Sequence, residues 1–227
     1  MTPSSSTQTL LSWLVTLFLP FAIILTGVRL LFMPVYLDIE YRTPNFPPDS
    51  YPPAGQIPFT LEDRLKWSKV SMNYLLSDDT IDFFETQRFE DGTRIYNDRE
   101  LSHMTDVKVI VTWVLRVWLL ALVVVVGVGV WAWAGGWVDT YKLGLLRGAW
   151  GTLGFVGVVV LFVIVAFGPF FIFFHEIFFP PGTWTFYYSD TFIRLFPLRF
   201  WQDTFLWVGG LSIVQALLIW WGIRRIN

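Results

Sequence analysis

The stretch Glu100-Leu101-Ser102-His103-Met104-Thr105-Asp106-Val107-Lys108 runs straight into an apolar segment, Val109 to Trp133. An apolar run beyond about 18 residues is long enough to cross a bilayer. The sequence therefore puts a histidine, carboxylates, a hydroxyl and a lysine at the mouth of a membrane helix, where water meets lipid. The only other histidine, His175, follows another apolar run, Trp150 to Phe174. If the first run enters the membrane from one side, the second returns to it. Both histidines are then expected at one membrane face.

Composition points the same way. Of 227 residues, 54% are hydrophobic, and the mean hydropathy is +0.53. Four membrane-length runs are visible. The expected fold class is a polytopic α-helical membrane protein, with four transmembrane helices and a small α+β extracytoplasmic cap between helices 1 and 2. The net charge of -2 says little about partners, because the charges are segregated. The absence of cysteine excludes disulfides, thiolate metal ligands and a cysteine nucleophile. No basic patch with interleaved aromatics points to nucleic acid.

In chain order, residues 1–35 are expected to carry transmembrane helix 1, from about Leu10 to Val35, kinked at Pro20. It reads as a retained helix rather than a cleaved signal. Arg29, near its outer end, is placed to snorkel to the headgroups. Residues 36–108 form the cap. A Pro-rich extended piece, Thr43 to Pro58, leads to Thr60, an N-cap with Asp63 three residues on. Leu61 to Leu76 has amphipathic helical spacing, and Ser77 is expected to cap a short helix through Phe84. Asp91-Gly92 signals a type I′ hairpin within Gln87–Tyr96. Asn97 and Glu100 form a capping box for the helix carrying His103, which should run unbroken into transmembrane helix 2, 109–134. A cytoplasmic loop, 135–149, transmembrane helix 3, 150–174, an extracytoplasmic loop, 175–203, and transmembrane helix 4 with its tail, 204–227, complete the chain. Lys142, Arg147, Arg224 and Arg225 on one side outweigh Arg194 and Arg199 on the other. Both termini are thus expected in the cytoplasm, with the cap and the histidines outside. Arg116, inside span 2, must face protein, water or a headgroup drawn inward.

On a helix, Glu100 and His103 share a face. A carboxylate one turn away can hold an imidazole in one tautomer and raise its basicity, the pairing used in general-base catalysis. The second loop adds His175-Glu176-Ile177-Phe178-Phe179, Trp184, Asp190, Arg194-Leu195-Phe196-Pro197 and Phe200-Trp201. Most of these aromatics read as interfacial packing. There is no Gly-x-Ser-x-Gly elbow, and Ser102 and Ser189 carry no signal as nucleophiles. A zinc site built from the two histidines with Glu100, Asp106 or Glu176 would support a membrane hydrolase, but His175-Glu176 lacks the second histidine of a zinc-protease helix. A bis-histidine haem carrier would need both rings deep in the bundle. A non-catalytic membrane scaffold is a further alternative.

The blocks Glu100–Lys108 and Phe174-His175…Phe178-Phe179…Trp184…Leu195-Phe196-Pro197…Phe200-Trp201, with Glu40-Tyr41 and Asn73-Tyr74-Leu75, resemble the integral membrane family that includes the lipoprotein intramolecular transacylases (Lit) of Gram-positive bacteria. The likeness covers nearly the whole chain. It implies transfer of the sn-2 acyl chain of a diacylglyceryl-cysteine lipoprotein to that cysteine's own α-amine, giving the lyso form. Ester to amide is downhill, and both ends of the transfer lie in one molecule. Proximity and proton transfer then suffice, without a covalent relay or a cofactor. His103 and His175 are the implied catalytic pair, with His103 favoured as base and His175 as acid or oxyanion partner. Glu100, Asp106 and Glu176 are expected to support them. Arg29, Asn73, Tyr74, Arg116 and Trp184 are candidates for contacting the substrate. Partners are diacylglyceryl-modified lipoproteins and membrane lipid.

Overall fold

The computed structural model describes residues 3–226; residues 1, 2 and 227, at the ends of the segments expected at 1–35 and 204–227, lie outside that range. In order, the helices are α1 (Ser5–Leu31), α2 (Pro34–Tyr41), α3 (Leu61–Leu76), α4 (Ile81–Glu85), α5 (Asp98–Gly135), α6 (Val138–Val165), α7 (Phe167–Phe178), α8 (Thr191–Leu195) and α9 (Leu198–Ile226). Four of them, α1, α5, α6 and α9, are long and apolar enough to cross a membrane. The chain divides into two compact units.

The membrane unit takes the chain up to Leu30, Val114–Val165, and everything from Phe205 on. Pro20 lies inside α1 without ending it. Helices in lipid gain little from hydrophobic burial against one another, so close backbone approach and polar contacts hold them. Gly144 supplies the close approach: a Cβ there would lie 2.5 Å from the Ser12 carbonyl oxygen. Beside it, the Ser12 hydroxyl donates to the Thr140 carbonyl at 2.7 Å. The Arg147 guanidinium donates to that same hydroxyl and lies over the Trp13 ring at 4.0 Å. Residues 135–149 were expected to be a loop, but helix resumes at Val138, after Gly136 turns at φ +72°. The polar Asp139, Lys142 and Arg147 are helical. The third span also ends earlier than Phe174. Pro169 removes a donor and its ring collides with the carbonyl four residues back. That carbonyl belongs to Val165, the last residue of α6.

The second unit comprises Leu31–Trp113 and Ala166–Thr204. Both capping boxes form: Thr60 with Asp63 at the head of α3, and Asn97 with Glu100 at the head of α5. From Asp98 the helix is continuous for 38 residues, roughly 57 Å at about 1.5 Å per residue. The apolar part starts at Val109, so residues 98–108 are a polar extension of the spanning segment. Two expectations fail. No named strand occurs among the described residues, so the α+β cap is helical. A type I′ turn needs positive φ at both central residues, but Gly92 alone has it, not Asp91. The loop is instead a turn closed by Phe89 with Gly92 and Thr93, and a single bridge, Arg88 to Arg94, remains of the hairpin. Arms this short do not make an independent sheet. Helix α4 also starts at Ile81 rather than after Ser77, because Ser77 ends α3 by donating its N–H to the Asn73 carbonyl.

The unit's core is aromatic. Phe84, fully buried, stacks on Tyr96 at 4.0 Å and meets Tyr74 at 5.1 Å, with Trp67, Phe192 and Leu195 around them. A buried ion pair, Arg194 to Asp49 at 2.9 Å, ties α8 to the Pro-rich segment.

Candidate active site

The loop before α8 is stitched to the start of α5 by polar groups of short reach. Asp190 accepts from the Asn97 side-chain amide at 3.1 Å, the Arg99 guanidinium at 2.9 Å and the Tyr187 N–H at 2.9 Å. The Thr191 hydroxyl donates to the Ile95 carbonyl. Glu100, only 1% exposed, accepts from the Asn97 N–H at 2.9 Å and the Phe192 N–H at 2.7 Å, one on each oxygen. Burial pushes its carboxyl up to about 7, against the opposing pull of those two N–H groups.

One turn along α5 is His103, buried against Phe179 (4.7 Å), Phe186 (5.2 Å) and Phe192 (6.5 Å). Its Nδ1 is buried with no hydrogen-bond partner. The hydrogen bond expected from Glu100 is therefore not formed, because both carboxylate oxygens serve backbone donors. Glu100 positions the helix start and the Phe192 loop instead.

His175 comes from the last turn of α7. Its ring lies between Phe171 (4.1 Å) and Trp184 (4.8 Å), with Phe179 at 5.5 Å. The two imidazoles are 6.5 Å apart, their planes inclined by 23°. His175 Nδ1 lies 2.8 Å from the Phe171 carbonyl. A carbonyl can only accept, so Nδ1 carries the hydrogen and Nε2 keeps a lone pair. Burial pulls both imidazoles below their ordinary pKa: His103 to about 4, with His175 adding a smaller push, and His175 in the same direction despite the Phe171 bond. At neutral pH the site presents two uncharged imidazoles within aromatic walls.

The other expected residues are placed less centrally. Trp184 joins the pair. Asp106 lies on the next turn after His103 and is half-buried, while Glu176 and Asn73 are exposed. Tyr74 is a core residue, 2% exposed, with the Lys108 ammonium over its ring at 4.1 Å. Arg29 and Arg116 belong to the membrane unit. Ser102 and Ser189 are exposed. No three His, Cys, Asp or Glu side chains gather as a metal-ligand set among the described residues. Of the walls, sequence reasoning names Phe179 only as interfacial packing and misses Phe171, Phe186 and Phe192. Phe171 and Phe179 were legible in principle, since they stand four residues either side of His175.

The Lit family model, described as lipoprotein intramolecular transacylase Lit, matches residues 13–201. An uncharacterized protein of Aquifex aeolicus is 29% identical over 92% of this chain and 91% of its own. The solved structure of the membrane integral lipoprotein intramolecular transacylase Lit from Bacillus cereus superposes with a TM-score of 0.75 at 16% identity, covering 98% of this chain and 96% of that one. A variant of that protein with one histidine replaced by alanine superposes with a TM-score of 0.66 at 18% identity, covering 97% and 93%.

Proposed function

Since the chain belongs to the lipoprotein intramolecular transacylase Lit family, as a multi-pass membrane protein, we propose that it moves the sn-2 acyl chain of a diacylglyceryl-cysteine lipoprotein to that cysteine's α-amine. The observation that carries this reading is the pair of imidazoles with ring centres 6.5 Å apart, one with its tautomer fixed by a backbone carbonyl. The amine nitrogen attacks the ester carbonyl carbon. His175 Nε2 takes the amine proton, and the carbonyl oxygen becomes an oxyanion. Collapse breaks the bond to the glyceryl oxygen, which takes from His175 the proton that the amine gave up. His103 stays neutral and donates a hydrogen bond toward the oxyanion, as an uncharged imidazole can. This exchanges the two roles expected from spacing alone, since the only orienting hydrogen bond is on His175. Glu100 supports by holding the α5 start against the Phe192 loop. Asp106 and Glu176 are the candidates for supporting the histidines, and Asn73 and Trp184 for contacting the substrate's polar groups.

The test is expression in a host lacking lipoprotein N-acylation, followed by mass spectrometry of the N-terminal lipopeptide. The lipopeptide mass should be unchanged while fragmentation moves one acyl group from glycerol to the N-terminus. Lipopeptides that keep both acyl groups on glycerol, or that lose one as free fatty acid, would refute the proposal.

The reaction needs the site at the lipoprotein's face. The charge bias of Lys142, Arg147, Arg224 and Arg225 supports cytoplasmic termini and an extracytoplasmic histidine face. The chain has no cysteine, so Glu90→Cys, at an exposed position, gives a single thiol. We expect it to react with an impermeant maleimide in intact cells. Reaction only after lysis would invert the topology.

A further inference from the structure

We infer that the indole N–H of Trp184 is a second donor to the oxyanion formed during acyl transfer. The inference rests on the function proposed above and assigns one more group to its reaction.

Trp184 Nε1 is buried and has no hydrogen-bond partner. A buried indole N–H ordinarily finds an acceptor, so an unmet one calls for an explanation. Here it occurs beside the reacting groups: the Trp184 ring is 4.8 Å from His175, and His175 is 6.5 Å from His103. The other buried polar atom in this pocket without a partner is His103 Nδ1. Two unmet polar atoms thus belong to the rings that neighbour the imidazole whose own tautomer is already fixed. A site that holds donors ready for a charge that exists only in the transition state must leave them unmet in the resting protein, and such donors accelerate the chemical step rather than binding. The walls, Phe171, Phe179 and Phe186, offer no competing acceptor side chain, and an apolar surround strengthens a hydrogen bond to a developing anion.

The atoms balance as follows. The amine nitrogen bonds to the acyl carbon and the carbonyl π pair moves onto oxygen, which accepts from Trp184 Nε1–H and His103. The amine proton rests on His175 Nε2. When the carbonyl re-forms, the carbon–oxygen bond to glycerol breaks and that oxygen takes the proton. Trp184 loses and gains no proton.

The experiment uses the full-length protein in detergent with a synthetic diacylglyceryl-cysteine lipopeptide. Initial rates are measured against lipopeptide concentration for the wild type, Trp184→Phe, Trp184→His and His175→Ala. Trp184→Phe keeps an aromatic ring and removes the N–H. We expect kcat to fall by about 100- to 1,000-fold, as when one oxyanion donor is removed, with KM within a few-fold. Trp184→His restores a ring N–H and should recover part of the loss. A Phe variant with wild-type kcat, one affected in KM alone, or a His variant no better than Phe would overturn the inference. If the wild type turns over and His175→Ala does not, such a result refutes the role of Trp184 and leaves the transacylase reading standing. A wild type that moves no acyl group refutes both.

Discussion

His175→Ala is expected to lower the rate of acyl transfer by about 100- to 10,000-fold, the usual contribution of a positioned general base. The ring is half-buried on the last turn of α7, so its removal should leave the protein folded, with a circular dichroism spectrum and elution volume like the wild type. His103→Ala should also lose most of the activity, by removing a donor to the oxyanion. If the two rings serve one transition state, the double variant should be little worse than either single one, since groups that act as a unit are far from additive. Ser102→Ala and Ser189→Ala, both at exposed positions, should stay within a few-fold of the wild type. Each variant is checked by the mass-neutral shift of the acyl group in the lipopeptide. Activity of His175→Ala near that of the wild type would remove His175 from the mechanism. An acyl group trapped on the protein would replace direct transfer by a covalent relay.

The roles proposed for the two histidines reverse those expected from spacing, for a definite reason. Glu100 lies three residues before His103, and on an isolated helix that pair would meet. What the spacing cannot show is that Phe192, 92 residues on, offers its N–H to the same carboxylate at 2.7 Å. A backbone donor in the protein interior has no other partner, so it takes precedence over a side chain. The same limit explains the 135–149 segment. Asp139, Lys142 and Arg147 read as a polar loop, yet Arg147 is satisfied by Ser12, 135 residues away, and by the Trp13 ring. Features carried by local chemistry were legible: four apolar runs of membrane length, the Thr60 and Asn97 capping boxes, and the unbroken helix through His103. The convergence of the two histidines was legible too, because hydropathy alone predicts that successive spans run in opposite directions. The Asp91-Gly92 turn was half legible. Its position was right, but the residue before the glycine keeps a negative φ, and the arms flanking it feed an aromatic core instead of a sheet.

Phe192 stands on α8, and the buried Arg194–Asp49 pair ties α8 to the Pro-rich segment. Asp49→Ala should therefore be the most destabilising change in the second unit. Asp49 is the anionic partner of the guanidinium, whose side chain is 2% exposed, and one of its oxygens also accepts the Phe59 N–H at 2.8 Å. Removing it leaves a buried positive charge facing only the Gln56 side chain, the Ile57 carbonyl and the Phe59 ring. Breaking one side of such a pair costs about 3–5 kcal/mol, and the unmet Phe59 N–H adds about 1–3 kcal/mol. For a chain of this length that corresponds to a fall of about 10 °C or more in the thermal midpoint, measurable by intrinsic fluorescence in detergent. The paired replacement Asp49→Leu with Arg194→Met removes both charges and should recover much of the loss, because an ion pair of this kind contributes little net stability over an apolar pair of similar size. Activity should follow the same order, lowest in Asp49→Ala and higher in the double variant, since α8 carries the Phe192 ring and the N–H that holds Glu100. A thermal midpoint for Asp49→Ala within a degree or two of the wild type would show that the pair is not what fixes α8, and that the histidine pocket takes its shape from the Asp190 and Glu100 contacts alone.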